Sequence, residues 1–137
     1  KGYWMIQRSW QPGDTVSCEM EMEPERVYAH PMVRADAGCV ALRRGPIIYT
    51  FEGVDNGEDL QTLRIPREAK IEVLPYQADL LEGIVALRVT GCRKKAAVNL
   101  ALYAEDAAPE EVVTLQAIPY YAWCNRGMTH MRVWMQE

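Results

Sequence analysis

Thr15 to Met22 alternates without a fault, with Val16, Cys18, Met20 and Met22 on one side and Thr15, Ser17, Glu19 and Glu21 on the other. A period of two predicts a half-buried strand. Tyr3 to Trp10 keeps a similar rhythm, placing Trp4, Ile6 and Trp10 on one face with Arg8 between them. Gln11-Pro12-Gly13-Asp14 separates the two runs. Pro12 presets φ there and Gly13 supplies a positive φ, so the pair predicts a hairpin. Glu23-Pro24-Glu25 breaks it, and Arg26 to His30 is a short strand stopped by Pro31. Leu63-Arg64-Ile65 and Ile71 to Leu74 are short strands bounded by Pro66 and Pro75. Ile84 to Thr90 alternates with Val85, Leu87 and Val89 inside, and Gly91 ends it. Ala97 to Tyr103 gives a strand through Val98, Leu100 and Leu102, followed by a small polar linker, Ala104 to Pro109. Val112 to Trp123 and Met131 to Met135 read as strands joined across Asn125-Arg126-Gly127.

Between these lies the most informative block, Val33 to Glu52, reading VRADAGCVALRRGPIIYTFE. Two apolar runs, Val40-Ala41-Leu42 and Ile47 to Phe51, flank Arg43-Arg44-Gly45-Pro46. Pro46 lacks an N–H and cannot sit in a central ladder. The block predicts a strand that bends or changes sheet at Gly45-Pro46. Helical signal is confined to single turns at Asp79 to Gly83 and Glu105 to Glu111. Many short strands with Pro/Gly punctuation predict an all-β protein, an antiparallel β-sandwich of jelly-roll-like form.

Composition narrows the function. Over 137 residues, 49% apolar and 25% charged is ordinary globular composition, large enough for a real core. A net charge of −4 and a pI near 5.3 oppose binding to nucleic acid or an anionic membrane. The one dense basic run, Arg93-Lys94-Lys95, reads as a solvated loop. No apolar stretch approaches a membrane span. No signal segment opens the chain, and Lys1 is expected not to be the native start. Cys18, Cys39, Cys92 and Cys124 form no C-x-x-C pair and no zinc-finger spacing with His30 or His130. They read as separate, reduced, mostly buried small hydrophobes. Unpaired cysteines favour a cytoplasmic location.

Two motifs carry a family resemblance. Val33 to Glu52 continues into Gly53-Val54-Asp55-Asn56-Gly57. Ile118-Pro119-Tyr120-Tyr121-Ala122-Trp123 is followed by Asn125-Arg126-Gly127 and Met131-Arg132-Val133-Trp134. In this order and spacing they resemble the carboxy-terminal region of glycoside hydrolase family 127, the β-L-arabinofuranosidase family. Gly2 to Asp14 and Leu80 to Val89 fit more loosely. The resemblance implies a parent whose catalytic unit is a large helical barrel preceding this region, followed by a middle β-sandwich. It implies a boundary near Pro24, with residues 1–24 as the last hairpin of the middle sandwich and 25–137 as the carboxy-terminal sandwich. It also implies, for the barrel, a cysteine nucleophile beside a zinc ion held by Cys and Glu. None of the four cysteines here lies in a matching motif, and Cys124 stands where the family motif usually has a small residue such as Ala.

Candidate chemistry within the chain is sparse. Glycoside hydrolysis usually needs two carboxyls, and Asp36, Glu52, Asp55, Glu58 and Asp59 are available. Most fall in turns, where acidic residues are the solvated default, so the structural reading outweighs the catalytic one. Asp55 to Asp59 lacks the residue order of a calcium loop, and His30 and His130 read as structural. Tyr120, Tyr121 and Trp123 with Asn125 and Arg126 combine aromatic faces, an amide and a guanidinium, as protein interfaces and sugar sites both do. Alternation places Tyr120 with Ala122 on one face and Tyr121 with Trp123 on the other. The preferred use of Tyr121, Trp123, Asn125 and Arg126 is contact with the barrel or between subunits, with sugar stacking second. The expectation is thus a non-catalytic accessory sandwich of a family 127-like glycosidase, holding no cofactor of its own. Its partners would be the parent's barrel and middle sandwich, with a homodimer possible. A carbohydrate-binding module is the alternative, and an independent enzyme ranks last.

Overall fold

The computed structural model describes residues 2–95, 102–103 and 105–137. The strand expected over Ala97 to Tyr103 falls almost wholly outside the described residues. Nine strands are present among them: β1 (Pro24–Val27), β2 (Cys39–Arg44), β3 (Ile47–Glu52), β4 (Leu63–Arg64), β5 (Ile71–Val73), β6 (Leu87–Lys94), β7 (Glu110–Pro119), β8 (Met131–Arg132) and β9 (Met135–Gln136). Among the described residues, helix is limited to one α turn, α1 (Gly53–Asn56), and short 3-10 turns at Arg34–Asp36, Leu60–Thr62 and Tyr120–Ala122. No helix among the described residues is long and apolar enough to cross a membrane.

Pairing runs β2–β9–β4–β6–β7–β3 and returns to β2, so the sheet closes on itself. Closure removes most of the exposed edge that an open sheet would present. Among the described residues only β4–β9 is parallel; β1 is added beside β2, β5 beside β6, and β8 beside β3. The longest ladder, β6–β7, pairs Leu87 with Ala117 at one end and Lys94 with Glu110 at the other. The fold is all-β, as expected, and the closed pairing fits a sandwich; nothing in it singles out a jelly roll.

Alternate residues of the ring strands meet in one core: Val40 and Leu42, Tyr49 and Phe51, Leu87 and Val89, Leu115 and Ala117, with Leu63, Met135 and the loop residues Leu60 and Ile65. Tyr49 and Phe51 are fully buried, and burial of such a side chain contributes about 1.5–3 kcal/mol. Tyr49 satisfies its hydroxyl by donating to the Val85 carbonyl at 2.8 Å. A second, smaller cluster of Leu74, Ile84, Ala86, Ile118 and Ala122 lies under the loop that follows β5.

Four local expectations change. The Val33–Glu52 block is a hairpin and not one bent strand: Arg44 pairs with Ile47 and Arg43 with Ile48 around Gly45-Pro46. Gly45 takes φ +57, the first position of a turn that needs glycine there and tolerates proline next. The two strands then part, β2 to β1 and β9, β3 to β7 and β8. Gly91 does not end β6 but lies inside it, buried, where a Cβ would meet the Leu115 side chain and, at 2.9 Å, the Arg64 carbonyl. Glycine is there because two other groups occupy its side-chain space. Arg93 and Lys94 are strand residues opposite Glu111 and Glu110, and Arg93 donates to the Asn56 carbonyl, so the basic run is no free loop. Near the amino end, the Gln11–Asp14 turn forms, closed by Asp14 N–H on the Gln11 carbonyl at 3.0 Å and by Gln11 N–H on the Asp14 carboxylate at 2.8 Å. The segments on either side carry no strand pairing, and Trp4, Met5 and Met20 are well exposed. A lone two-stranded hairpin has too little to bury to hold itself.

Candidate functional site

The chain's two long motifs meet at one carboxylate. β3 ends at Glu52, whose side chain is completely buried. One carboxylate oxygen accepts the Cys124 backbone N–H at 2.6 Å, and the other accepts Arg126 Nη2 at 2.6 Å. Arg126 also donates Nη1 to Asp55 Oδ1 at 2.8 Å and Nη2 to Asp55 Oδ2. The Arg126 side chain is 20% exposed, so this is a largely desolvated triad of two carboxylates and one guanidinium. The hydrogen bonds that the guanidinium donates to Asp55 and Glu52 hold its pKa well above its usual range, against the opposing effect of burial. Such a network is strongly destabilised when one member is removed, because a buried charge is left alone.

α1 sets the geometry of Asp55. Its Gly53 N–H reaches the His130 carbonyl at 2.8 Å, its Val54 N–H reaches Thr129 Oγ1 at 3.0 Å, and Gly57, at φ +84, ends the turn. Buried Asn56 stitches α1 to β7: Nδ2 donates to the Glu52 and Gln116 carbonyls, both at 2.9 Å, and Oδ1 accepts Gln116 N–H at 2.8 Å. The loop thus held runs from the 3-10 turn Tyr120–Ala122 to Gly127. Cys124 takes a left-handed φ of +64, a conformation that costs an L residue free energy and needs its surroundings to hold it. Asn125 Nδ2 donates to the Ala122 carbonyl at 3.2 Å.

The loop carries its rings outward. Tyr120, Tyr121 and Trp123 are 45%, 66% and 37% exposed, while Ala122 is buried in the second cluster. The expected two-face alternation fails because the chain leaves the strand at Pro119 and turns through a 3-10 helix. Tyr120 lines an open groove with Ile48, Met131, Arg132, Val133 and Trp134, and Trp123 lines a hollow with Glu58, Cys124, Met128, Thr129 and His130. Of the expected contact residues, Tyr121 and Trp123 therefore face outward, while Asn125 and Arg126 bond within the loop and to its support.

The remaining candidate carboxylates and histidines lie in separate turns and contacts. Glu52 and Asp55 are both occupied by Arg126. Asp36 lies in the Arg34–Asp36 turn, Asp59 Oδ1 accepts Gln61 Nε2 at 3.3 Å, and Glu58 is 3.9 Å from the exposed His130 ring. His30 Nδ1 accepts the Met32 N–H at 3.3 Å, closing a turn. Cys18 and Cys124 are exposed and Cys39 and Cys92 half-buried, all four unpaired. The expectation that they are mostly buried is corrected: Cys18 lies on the unpaired amino-terminal segment, and Cys124 sits at the tip of the loop. Among the described residues no group of three or more His, Cys, Asp or Glu could hold a metal ion. The zinc that the resemblance implies for the parent's barrel thus finds no ligand set in the described part of this chain.

Residues 24–136 match the model of the glycoside hydrolase family 127 C-terminal domain. The chain belongs to this family. The match is to the carboxy-terminal domain, so the chain is not the catalytic domain of such an enzyme. A non-reducing end β-L-arabinofuranosidase of Bifidobacterium longum subsp. longum is 37% identical over 132 residues, covering 91% of this chain but 20% of that protein. Among solved structures, a family 127 β-L-arabinofuranosidase from Geobacillus stearothermophilus T6 superposes with a TM-score of 0.81 at 48% identity, over 85% of this chain and 18% of that one. A further family 127 β-arabinofuranosidase gives 0.71 at 33% identity, over 84% and 17%. This family 127 domain therefore spans about a fifth of the length of the relatives it matches.

Proposed function

We propose that this chain is the supporting carboxy-terminal sandwich of a β-L-arabinofuranosidase-like glycoside hydrolase, serving its parent by contact and not by chemistry. The family match, over residues 24–136 and to the C-terminal domain alone, carries this reading. Tyr121 and Trp123 are the contact residues, presented to the parent's barrel by a loop that Asn125 and Arg126 hold in shape. The exposure of both rings, and the hollow that Trp123 lines, support this use. The rings are of the kind that dominate protein interfaces. A two-fold contact between copies is the other use such a face permits.

Residues 1–24 are assigned to a preceding sandwich as its last hairpin, and 25–137 to the carboxy-terminal one. The start of the family match at residue 24 and the exposed apolar side chains before it support that boundary. A cytoplasmic location accords with four unpaired thiols. The test compares the purified chain with the full-length parent on a β-L-arabinofuranoside. Turnover is expected from the parent alone; turnover by the chain above a contaminant control would end this reading. The second reading, a carbohydrate-binding module, draws on the same exposed aromatic rings. Saturable glycan binding by the isolated chain would establish it.

A further inference from the structure

We infer that Glu52 is the positioning residue of the contact loop: it holds Tyr121 and Trp123 in their docking arrangement through Arg126 and the Cys124 N–H. This rests on the contact reading of that loop. Glu52 itself touches no partner, being completely buried. It ends a ring strand, so its backbone is fixed by the sheet, while its carboxylate reaches a loop 72 residues further along the chain.

The two acceptor oxygens act on different parts of that loop. One takes the N–H of Cys124, the residue whose left-handed backbone turns the chain immediately after Trp123. The other takes Arg126, which Asp55 grips from its second side. The loop is thus fixed at both Cys124 and Arg126 to a single strand end. Backbone pairing could not do this, because no strand ladder includes residues 120–130. Without the carboxylate, the strained Cys124 conformation loses its N–H acceptor, and Arg126 loses its most buried partner. A loop freed in this way has to be ordered again on docking, and that ordering weakens the contact. The hydrophobic side chains packed in the sandwich core come from β2, β3, β6 and β7 and do not include Glu52, so the exchange of β6–β7 reports on the core separately from the loop.

The test is amide hydrogen exchange over residues 120–128 and over β6–β7, in this chain and in the full-length parent. In the wild type, the parent should protect 120–128 beyond the level seen in the chain alone, which is the docking footprint. Glu52→Gln should speed exchange of 120–128 in the chain by roughly tenfold or more while leaving β6–β7 unchanged. It should also shrink the footprint in the parent. Asp55→Asn, which loosens Arg126 and leaves the Cys124 bond in place, should do the same more weakly and guards against a Glu52 variant that fails to fold. Uniform acceleration that includes β6–β7 in both variants would reduce Glu52 to a general stability residue and overturn the inference. So would an unchanged footprint with either variant. Absence of any footprint in the wild-type parent would instead refute the contact reading itself.

Discussion

Replacing Tyr121 and Trp123 together by Ala asks whether the exposed rings meet the rest of the parent. The two side chains are 66% and 37% exposed. An aromatic side chain offers about 150–250 Å² to burial. Taking ~200 Å² for each, full coverage on docking would remove roughly 130 Å² at Tyr121 and 75 Å² at Trp123 from water. At ~25 cal/mol per Å² this corresponds to about 3 and about 2 kcal/mol. Their sum, about 5 kcal/mol, is a ceiling, because docking seldom covers a ring completely and ordering costs oppose it. In the isolated chain the same change should do far less, since Tyr121 is mostly in water and surface substitutions usually stay within about 0.5 kcal/mol. Trp123 is the more enclosed ring and should account for most of whatever loss the chain shows. The assay is scanning calorimetry of the full-length parent beside the isolated chain. The wild-type parent should unfold with its carboxy-terminal sandwich coupled to the remainder. The double variant should release a separate transition near the melting temperature of the isolated chain. A double variant that melts like the wild type, yet loses affinity for an oligosaccharide, would refute the contact argument and favour the binding module.

Gly91→Ala should destabilise the chain by about 1–3 kcal/mol, since the new methyl meets the Leu115 side chain and the Arg64 carbonyl. In urea titrations the loss should be smaller when Leu115 is also shortened to Val, and a neutral Gly91→Ala would show that the space is open. Acid should weaken the fold through Glu110 and Glu137, whose carboxyls are held below the usual range by Arg64 and by Arg67 with Tyr28, respectively. A carboxyl with a lowered folded pKa lends stability that is complete above its unfolded value, about 4.3, and fades as pH falls through the folded value. The urea midpoint should therefore hold from neutral pH to about 5 and decline below ~4, and Glu110→Gln with Glu137→Gln should flatten that decline. Deleting residues 1–23 should leave a folded domain with an unchanged β6–β7 exchange pattern, and should remove any self-association seen by light scattering. A truncated chain that no longer folds would place those residues inside this sandwich.

The strands were legible where alternation was clean and one face met the core. Leu87 and Val89 on β6 and Tyr49 and Phe51 on β3 follow the period of two that buried strands require. The misreadings come from residues whose roles are set at long range. Gly91 looks like a terminator because glycine ends strands more often than it fills them. Its reason for being there, the approach of Leu115 and Arg64, comes from neighbouring strands. Pro46 reads as a bend because a proline cannot join a ladder. The same property suits a hairpin turn, and the choice between the two depends on whether Arg44 pairs with Ile47. The amino-terminal segment alternates as well as any strand in the molecule, yet pairing needs a partner and its periodicity cannot supply one.

The candidate site was legible as two motifs but not as one structure. Glu52 reads in the sequence as the acidic residue that begins a polar turn. Arg126 reads as a donor available to a ligand. Each impression follows from local context, and each changes once β3 and the loop after β7 are brought together. Closing a buried ion pair across more than 70 residues leaves no periodicity and no spacing rule behind it. The one local clue was the density of polar residues beside strong strand formers. A carboxylate directly after Ile47-Ile48-Tyr49-Thr50-Phe51 continues a strand whose last residues are all buried. A charge placed there must either end the strand in water or find a cation inside, and the second motif contains one. Such a carboxylate draws Arg126 into the loop's support and leaves Tyr121 and Trp123 as its outward rings.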